Sequence, residues 1–141
     1  MSDIEDRKAF NRSLIEEFRA NDGKVEGAFA GAPLLLLTTT GAKSGHQHTS
    51  PVVYTTDGDR LVIIASYAGR PNNPAWFHNL VANPEVTVEI PGETFSARAV
   101  VASGGYRDRL YAAQAKLMPA FDEYQSKTTR QIPVVTLERI T

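Results

Sequence analysis

Cysteine is absent from this chain, which removes disulfides, thiolate metal sites and thiol nucleophiles together. Long apolar runs are also missing. The longest, Leu34–Leu37 and Leu61–Ala65, fall far short of the roughly 20 residues that span a bilayer. No excess of charge exists: the net charge of −1 gives no global attraction to nucleic acid or to an anionic membrane. The opening residues, MSDIEDRK, are acidic and lack the apolar centre of a signal peptide. A cytoplasmic protein without an integral membrane segment is the expectation. The 141 residues suit a single domain, 1–141, built around one core.

Carboxylates are missing from one particular stretch. No Asp or Glu occurs between Glu26 and Asp57, while Lys43, His46 and His48 sit in the middle. The segment reads as strand, loop, strand: an apolar run from Leu34, three threonines, the turn-rich Gly41-Ala42-Lys43-Ser44-Gly45, and a second β-type run ending at Val52-Val53-Tyr54. Glycines let backbone N–H groups come close to a ligand. Donors without competing carboxylates suit an anion such as a phosphate. A plain hairpin loop with a solvated lysine fits the same residues equally well. A Walker loop does not, because Ala42 precedes Lys43, Leu37 stands where the earlier glycine is needed, and β-type residues follow.

Around this stretch the chain alternates short elements. Ser2-Asp3-Ile4-Glu5 has the form of a capping box, and Phe10, Leu14, Ile15 and Phe18 recur at helical spacing until Asn21-Asp22-Gly23. This N-terminal helix spans 1–26 with its connection. Strands are predicted near 34–40, 49–55 and 60–66, with Pro51 marking an edge or bulge and Asp57-Gly58 a tight hairpin. Asn73-Pro74 reads as the cap and first turn of a short helix to Ala82, with Trp76, Phe77, Leu80 and Val81 on its stripe. Strands follow over 86–90 and 94–102, joined at Pro91-Gly92. Gly104-Gly105 breaks the chain before a helix over 106–118 with Leu110, Ala113 and Leu117 on one side. Phe121 and Tyr124 lie in a short turn or helix, and 132–138 is the last strand. Six short strands joined largely by hairpins make a mainly β domain with flanking helices, closed or nearly closed into an antiparallel barrel. A parallel sheet would need a helix after nearly every strand.

Catalytic machinery is sparse. His46 and His48 could share one side of a strand, but a zinc site needs further ligands, and His78 is the sole remaining histidine. No Gly-x-Ser-x-Gly elbow occurs, and from Gly27 to Pro84 the only acids are Asp57 and Asp59 at a hairpin. A chain so equipped binds something or lets a cofactor carry the chemistry.

TTTGAKSG, TSP, NPAWFHNLVANPEVTVEI and YQSKTTRQIPVV together resemble the deazaflavin-dependent nitroreductase family of actinobacteria. The resemblance implies a six-stranded split β-barrel of the FMN-binding type over 34–141. It also implies use of reduced coenzyme F420, rather than FMN, as hydride donor to a quinone, an activated enone or a nitroaromatic. By position it places Lys43 and Ser44 at the cofactor phosphate, with His48, Thr49, Ser50, Pro51, Val52 and Val53 continuing that wall. Ile64, Ala65, Ser66 and Tyr67 flank the deazaflavin ring. Ala75, Trp76, Phe77, His78 and Asn79 close the pocket, and Phe121 and Tyr124 face the substrate. Ser66 or Tyr124 would hydrogen-bond the acceptor oxygen. The chain departs from the family where Ala42, Gln47 and His48 replace common Arg, Pro and Arg, and where Phe121 replaces a common Tyr. Those departures keep open a module that sequesters the cofactor without turnover, and an FMN- or haem-related barrel. The partners implied are a small-molecule hydride acceptor and a second copy in a homodimer.

Overall fold

Leu34, Leu35, Leu36 and Leu37 are all buried because their strand has protein on both faces. A half-exposed strand would alternate with polar residues; a strand covered on both sides reads as a continuous apolar run. Leu35 and Leu37 point into a barrel, where they meet Val52, Ile63, Val88 and Leu137. Leu34 and Leu36 point outward and are covered by Leu14 and Phe18 of the N-terminal helix. Each such leucine contributes on the order of 1.5–3 kcal/mol through burial.

The computed structural model describes residues 3–26, 33–66 and 72–140. In chain order the elements are α1 (Asp3–Ala20), β1 (Leu34–Thr40), β2 (Gln47–Asp57), β3 (Arg60–Ile64), α2 (Ala75–Ala82), β4 (Glu85–Ile90), β5 (Glu93–Val101), α3 (Gly104–Leu117), α4 (Ala120–Ser126) and β6 (Val134–Arg139). The strands form a closed barrel in the order β1-β2-β3-β6-β5-β4, with every pair antiparallel. The expected six-stranded barrel with flanking helices is therefore observed. α2 packs across one end of the barrel through Leu80, Trp76 and Phe77. α3 and α4 cover the outer face of β3 and β6.

The barrel is closed by order but split along one seam. β2 pairs with β1 over residues 47–53 and with β3 only over Tyr54–Asp57. Two bonds set the phase of the β1–β2 ladder: the Tyr54 N–H donates to the Pro33 carbonyl at 2.9 Å, and the Gly41 N–H donates to the His46 carbonyl at 2.7 Å. Alternation then turns the backbone groups of Gln47, Thr49 and Pro51 away from β1, toward the side where β3 has left. β3 pairs with β2 no further than Ile63, while its other edge stays on β6, where the Ala65 N–H donates to the Pro133 carbonyl at 2.9 Å. Pro51 thus fits without an orphaned donor, since it has no N–H to present to the seam. The expected edge character of Pro51 is met by this seam within a closed barrel.

Several boundaries and faces differ from the sequence reading. β2 begins at Gln47 and β3 ends at Ile64. Phe10 is 50% exposed, so the buried stripe of α1 is Leu14 and Phe18 with Ile15 half-buried. Val81 is exposed on α2. α3 starts at Gly104, and its buried face is Arg107, Leu110, Tyr111, Gln114 and Ala115; Ala113 and Leu117 face outward. Two polar residues on the buried face disguised its period. The proposed capping serine, Ser2, and the loop residues 67–71 lie outside the described residues.

The hairpins follow their turn chemistry. Gly58 at φ 62 leads the turn between Asp57 and Arg60, and Gly92 at φ 80 follows Pro91 between Ile90 and Glu93. The second turn also receives α1. Gly23 has φ 86, and a Cβ there would lie 2.4 Å from Cγ of Pro91. Beside it, Arg19 grips Glu89 with two bonds of 3.1 and 2.8 Å. Gly23→Ala should lower the unfolding free energy by about 1–3 kcal/mol from backbone strain and overlap. A urea titration with unchanged slope and a lower midpoint is the expected result; an unmoved midpoint contradicts the contact.

Candidate functional site

Residues 41–46 form a tight loop between β1 and β2. The Gly45 N–H donates to the Gly41 carbonyl at 3.0 Å, and the His46 N–H donates to Ser44 Oγ at 3.1 Å. Gly41 is buried, and an added Cβ would sit 2.5 Å from Ser44 Oγ and 3.2 Å from Nε2 of His48. Any side chain there would push the loop open. Lys43 is exposed, and among the described residues its ammonium has no hydrogen-bond or ion-pair partner. The same holds for the His46 and His48 rings. An anion approaching this loop meets the Lys43 ammonium with no carboxylate to displace.

Asn79 fixes the loop to α2. Its Oδ1 accepts from the Ala42 N–H at 3.0 Å, and its Nδ2 donates to Thr39 Oγ1 at 3.1 Å. Both ends of the carboxamide are occupied, and Asn79 and Thr39 are buried. One turn later, Asn83 Nδ2 donates to the Thr40 carbonyl at 3.3 Å. Asn79, expected from the resemblance to close the pocket, thus holds the loop from behind. The helix start differs from expectation as well. The residue preceding α2 is Pro74, extended and without a side-chain cap, because Asn73 Oδ1 accepts from Arg130 Nη1 at 2.8 Å.

The pleat divides the stretch from His48 to Val53 between two faces. His48, Ser50 and Val52 share the inward face with Leu35 and Leu37. Thr49, Pro51 and Val53 share the outer face. There Thr49 Oγ1 lies 2.8 Å from Thr38 Oγ1, and Val53 packs against the α1 cluster. Side chains of all six residues therefore cannot form one wall. The outer three reach the seam through their backbone.

Along the other side of the seam lie Ala65 and Ser66, buried and half-buried, and then α2. Ala75 and His78 are exposed, Trp76 and Phe77 half-buried; the His78 and Phe77 rings meet edge-on at 6.0 Å. Tyr67 lies outside the described residues. Ile64, Phe121 and Tyr124 come together under α3 and α4. Phe121 stacks edge-on against Tyr124 at 5.3 Å and Tyr111 at 6.4 Å, and the Tyr111 hydroxyl donates to the Phe121 carbonyl. Burial pushes the Tyr111 phenol above its ordinary pKa, with the Arg107 charge pulling it back. The half-buried Tyr124 carries a hydroxyl with no partner among the described residues.

Sequence reasoning missed Arg130. Its Nη1 donates to the Ala65 carbonyl at 3.2 Å and its Nη2 to the Ser66 carbonyl at 2.7 Å, in addition to Asn73. A loop arginine before Ile132-Pro133 carries no periodicity that would expose this role. The groove at Thr87, Ser96 and Arg98, of about 470 Å³, opens on the outside of β1, β4 and β5; Gln47 and Asn83 line it, while Lys43, Ser44, His48, Ser66 and Trp76 do not. The chemistry points to the seam and not to that groove. Among the described residues no group of acids, histidines or cysteines could hold a metal, and no helix is long and apolar enough to cross a membrane.

Comparison with known proteins gives the family and supports the fold. The model of a family described as F420H(2)-dependent quinone reductase matches residues 10–139. An F420H(2)-dependent quinone reductase of Mycobacterium tuberculosis is 38% identical over 128 residues, covering 86% of this chain and 85% of the relative. Among solved structures, the F420-H2 dependent reductase FDR-A is 34% identical with a TM-score of 0.69, covering 75% of this chain and 94% of that one. A structure described as a domain-swapped dimer, also 34% identical and with a TM-score of 0.69, covers 75% and 80%.

Asn79→Ala should leave the Ala42 N–H and Thr39 hydroxyl unpaired and cost about 1–3 kcal/mol. Amide exchange across 41–46 should accelerate while β4 and β5 stay protected. Uniform acceleration across the barrel would mean that Asn79 supports the fold at large and not the loop.

Proposed function

The chain belongs to the F420H(2)-dependent quinone reductase family, and on that premise we propose that it reduces a quinone with reduced F420 bound along the β2 seam. The observation that carries this reading is the loop 41–46: an exposed Lys43 with no acidic neighbour, held in place by Asn79. Such a loop fits an anionic cofactor tail. The seam fits a planar ring with a hydrogen-bonding edge, because Gln47 and Thr49 turn their backbone groups into it. When bound, the reduced deazaflavin supplies a hydride.

The protein's own residues act by binding, orienting and excluding water. In this reading Lys43, Ser44 and His48 face the phosphate. Ser50, Pro51 and Val52 flank the ring on the β2 side, and Ala65 and Ser66 on the other. Ala75, Trp76, Phe77 and His78 cover the end of the pocket at α2. Tyr124 or Ser66 donates a hydrogen bond to the quinone oxygen as negative charge develops there. Addition of one hydride from the cofactor and one proton from solvent turns the quinone into a hydroquinone, so electrons and protons balance. The family's positive charges missing at Ala42 and His48 lower the expected cofactor affinity without removing Lys43. A related structure described as a domain-swapped dimer supports a homodimer as the assembly.

Titration of the purified protein should give tighter binding of F420 than of FMN, and anaerobic mixing with reduced F420 and a quinone should oxidise the cofactor faster than buffer alone. Tight binding with no acceleration would identify a sequestering module; stoichiometric FMN with no F420 binding would remove the reading altogether. Lys43→Ala should weaken F420 binding roughly 10- to 150-fold, the worth of one charge-assisted bond. That difference should shrink as salt rises.

Tyr124→Phe should lower kcat by about tenfold or more, the cost of losing a donor to developing charge. F420 affinity should hardly change. A loss confined to affinity would move Tyr124 from the quinone to the cofactor.

A further inference from the structure

We propose that Arg130 is a positioning residue of this site, setting the separation between Ser66 and the start of α2. The inference rests on the F420 reading above. Among the described residues one guanidinium serves three acceptors on two segments: the Ala65 and Ser66 carbonyls where β3 ends, at 3.2 and 2.7 Å, and Asn73 Oδ1 before α2, at 2.8 Å. These segments are the two sides of the proposed ring pocket away from β2. Ser66 is one candidate donor to the quinone, and Trp76 follows Asn73 by three residues. No other residue among those described joins both segments by side-chain hydrogen bonds.

Arg130 is itself held. The Arg130 carbonyl accepts from Gln125 Nε2 at 2.8 Å. Gln125 Oε1 in turn accepts from Arg107 Nη2 and from the Ile132 N–H, both at 3.1 Å. Arg107 is buried, and its Nη2 and Nε donate to the Ile132 carbonyl at 2.6 and 3.1 Å. The chain of bonds therefore runs from α3, through α4 and the approach to β6, to the pocket. Burial holds the Arg130 guanidinium below its ordinary pKa, with Tyr111 acting in the opposite sense. A planar fork suits acceptors spread in several directions; an ammonium on a flexible stem does not reproduce that geometry.

Two clamps on α2 then have separate duties. Asn79 fixes the phosphate-side loop, and Arg130 fixes the acceptor side. Hydride transfer depends on alignment, and a displacement of about 1 Å can cost on the order of a hundredfold in rate. Loss of the Arg130 fork should reach kcat, while the Lys43 loop keeps its hold on the cofactor.

The test uses the full chain as wild type, Arg130→Lys, Arg130→Ala and Asn73→Ala, with Arg139→Gln as a control that breaks the exposed pair with Glu93. Expected are kcat losses of roughly 10- to 100-fold in the Arg130 variants, a smaller loss in Asn73→Ala, and none in the control. F420 dissociation constants should stay within about threefold, and millimolar methylguanidinium should restore part of the Arg130→Ala rate. In the cofactor-free protein, amide exchange in Arg130→Lys should accelerate at 65–66 and 73–77 and nowhere else. Should Arg130→Lys prove unstable, Asn73→Ala keeps two of the three bonds and carries the same test. Affinity and kcat falling together, rates tracking only the unfolded fraction, or unchanged exchange at 65–66 and 73–77 would each overturn the role. A wild type that neither binds F420 nor reduces quinone would remove the premise with it. Normal wild-type turnover with an unaffected Arg130→Lys would remove the role alone.

Discussion

A single carboxamide governs the geometry of the site. α2 has eight residues, too few to persist as a helix without tertiary support. Leu80 anchors it in the barrel, but an apolar contact does not dictate the path of a neighbouring loop. Asn79 does, because the Ala42 N–H and the Thr39 hydroxyl find their buried partners only when β1, the loop and α2 stand in one arrangement. The cost of leaving such groups unpaired makes alternative placements unfavourable. Lys43 can remain exposed and unpartnered while its backbone stays in place. That combination is what an anion-binding loop requires.

The seam in β2 is the second constraint. Barrels normally hide strand edges by closure. Here closure is complete in strand order, yet among the described residues 47–53 pair with β1 alone, because the β2–β3 ladder ends at Tyr54 and Ile63. Pro51 sits where an N–H would otherwise be left without a partner. Gln47 and Thr49, which precede it on the same edge, retain theirs. In the proposed reading, an open seam beside a helix and a basic loop is a place for a flat ligand with polar edges. The family to which the chain belongs makes reduced F420 the ligand proposed for it.

Much of this was legible in the residues. The unbroken leucine run and the three threonines after it marked β1, and Asp57-Gly58 and Pro91-Gly92 marked their hairpins. The loop around Lys43 stood out because acids were absent from it. What stayed hidden depended on partners far away in sequence. Arg107 and Gln114 are polar, so the buried face of α3 has the composition of a solvent face, and Leu117 fits a core stripe by spacing while it is 70% exposed. The stretch His48–Val53 read as one wall, because family likeness gives positions and not the alternation of a pleat. Asn79 looked like a residue facing a ligand and turned out to be occupied at both ends. Arg130 lacked any local signal, since the Ala65, Ser66 and Asn73 acceptors lie 57 to 65 residues away.

The central claim is that the cofactor lies along the β2 seam between the Lys43 loop and α2. Amide hydrogen exchange of the full chain with and without F420 tests it most directly. The account predicts slowed exchange at Ala42–Ser44, at Gln47 and Thr49, and at the start of α2, with β5 unchanged. Protection confined to α3 and α4, or to the groove at Ser96 and Arg98, would contradict it.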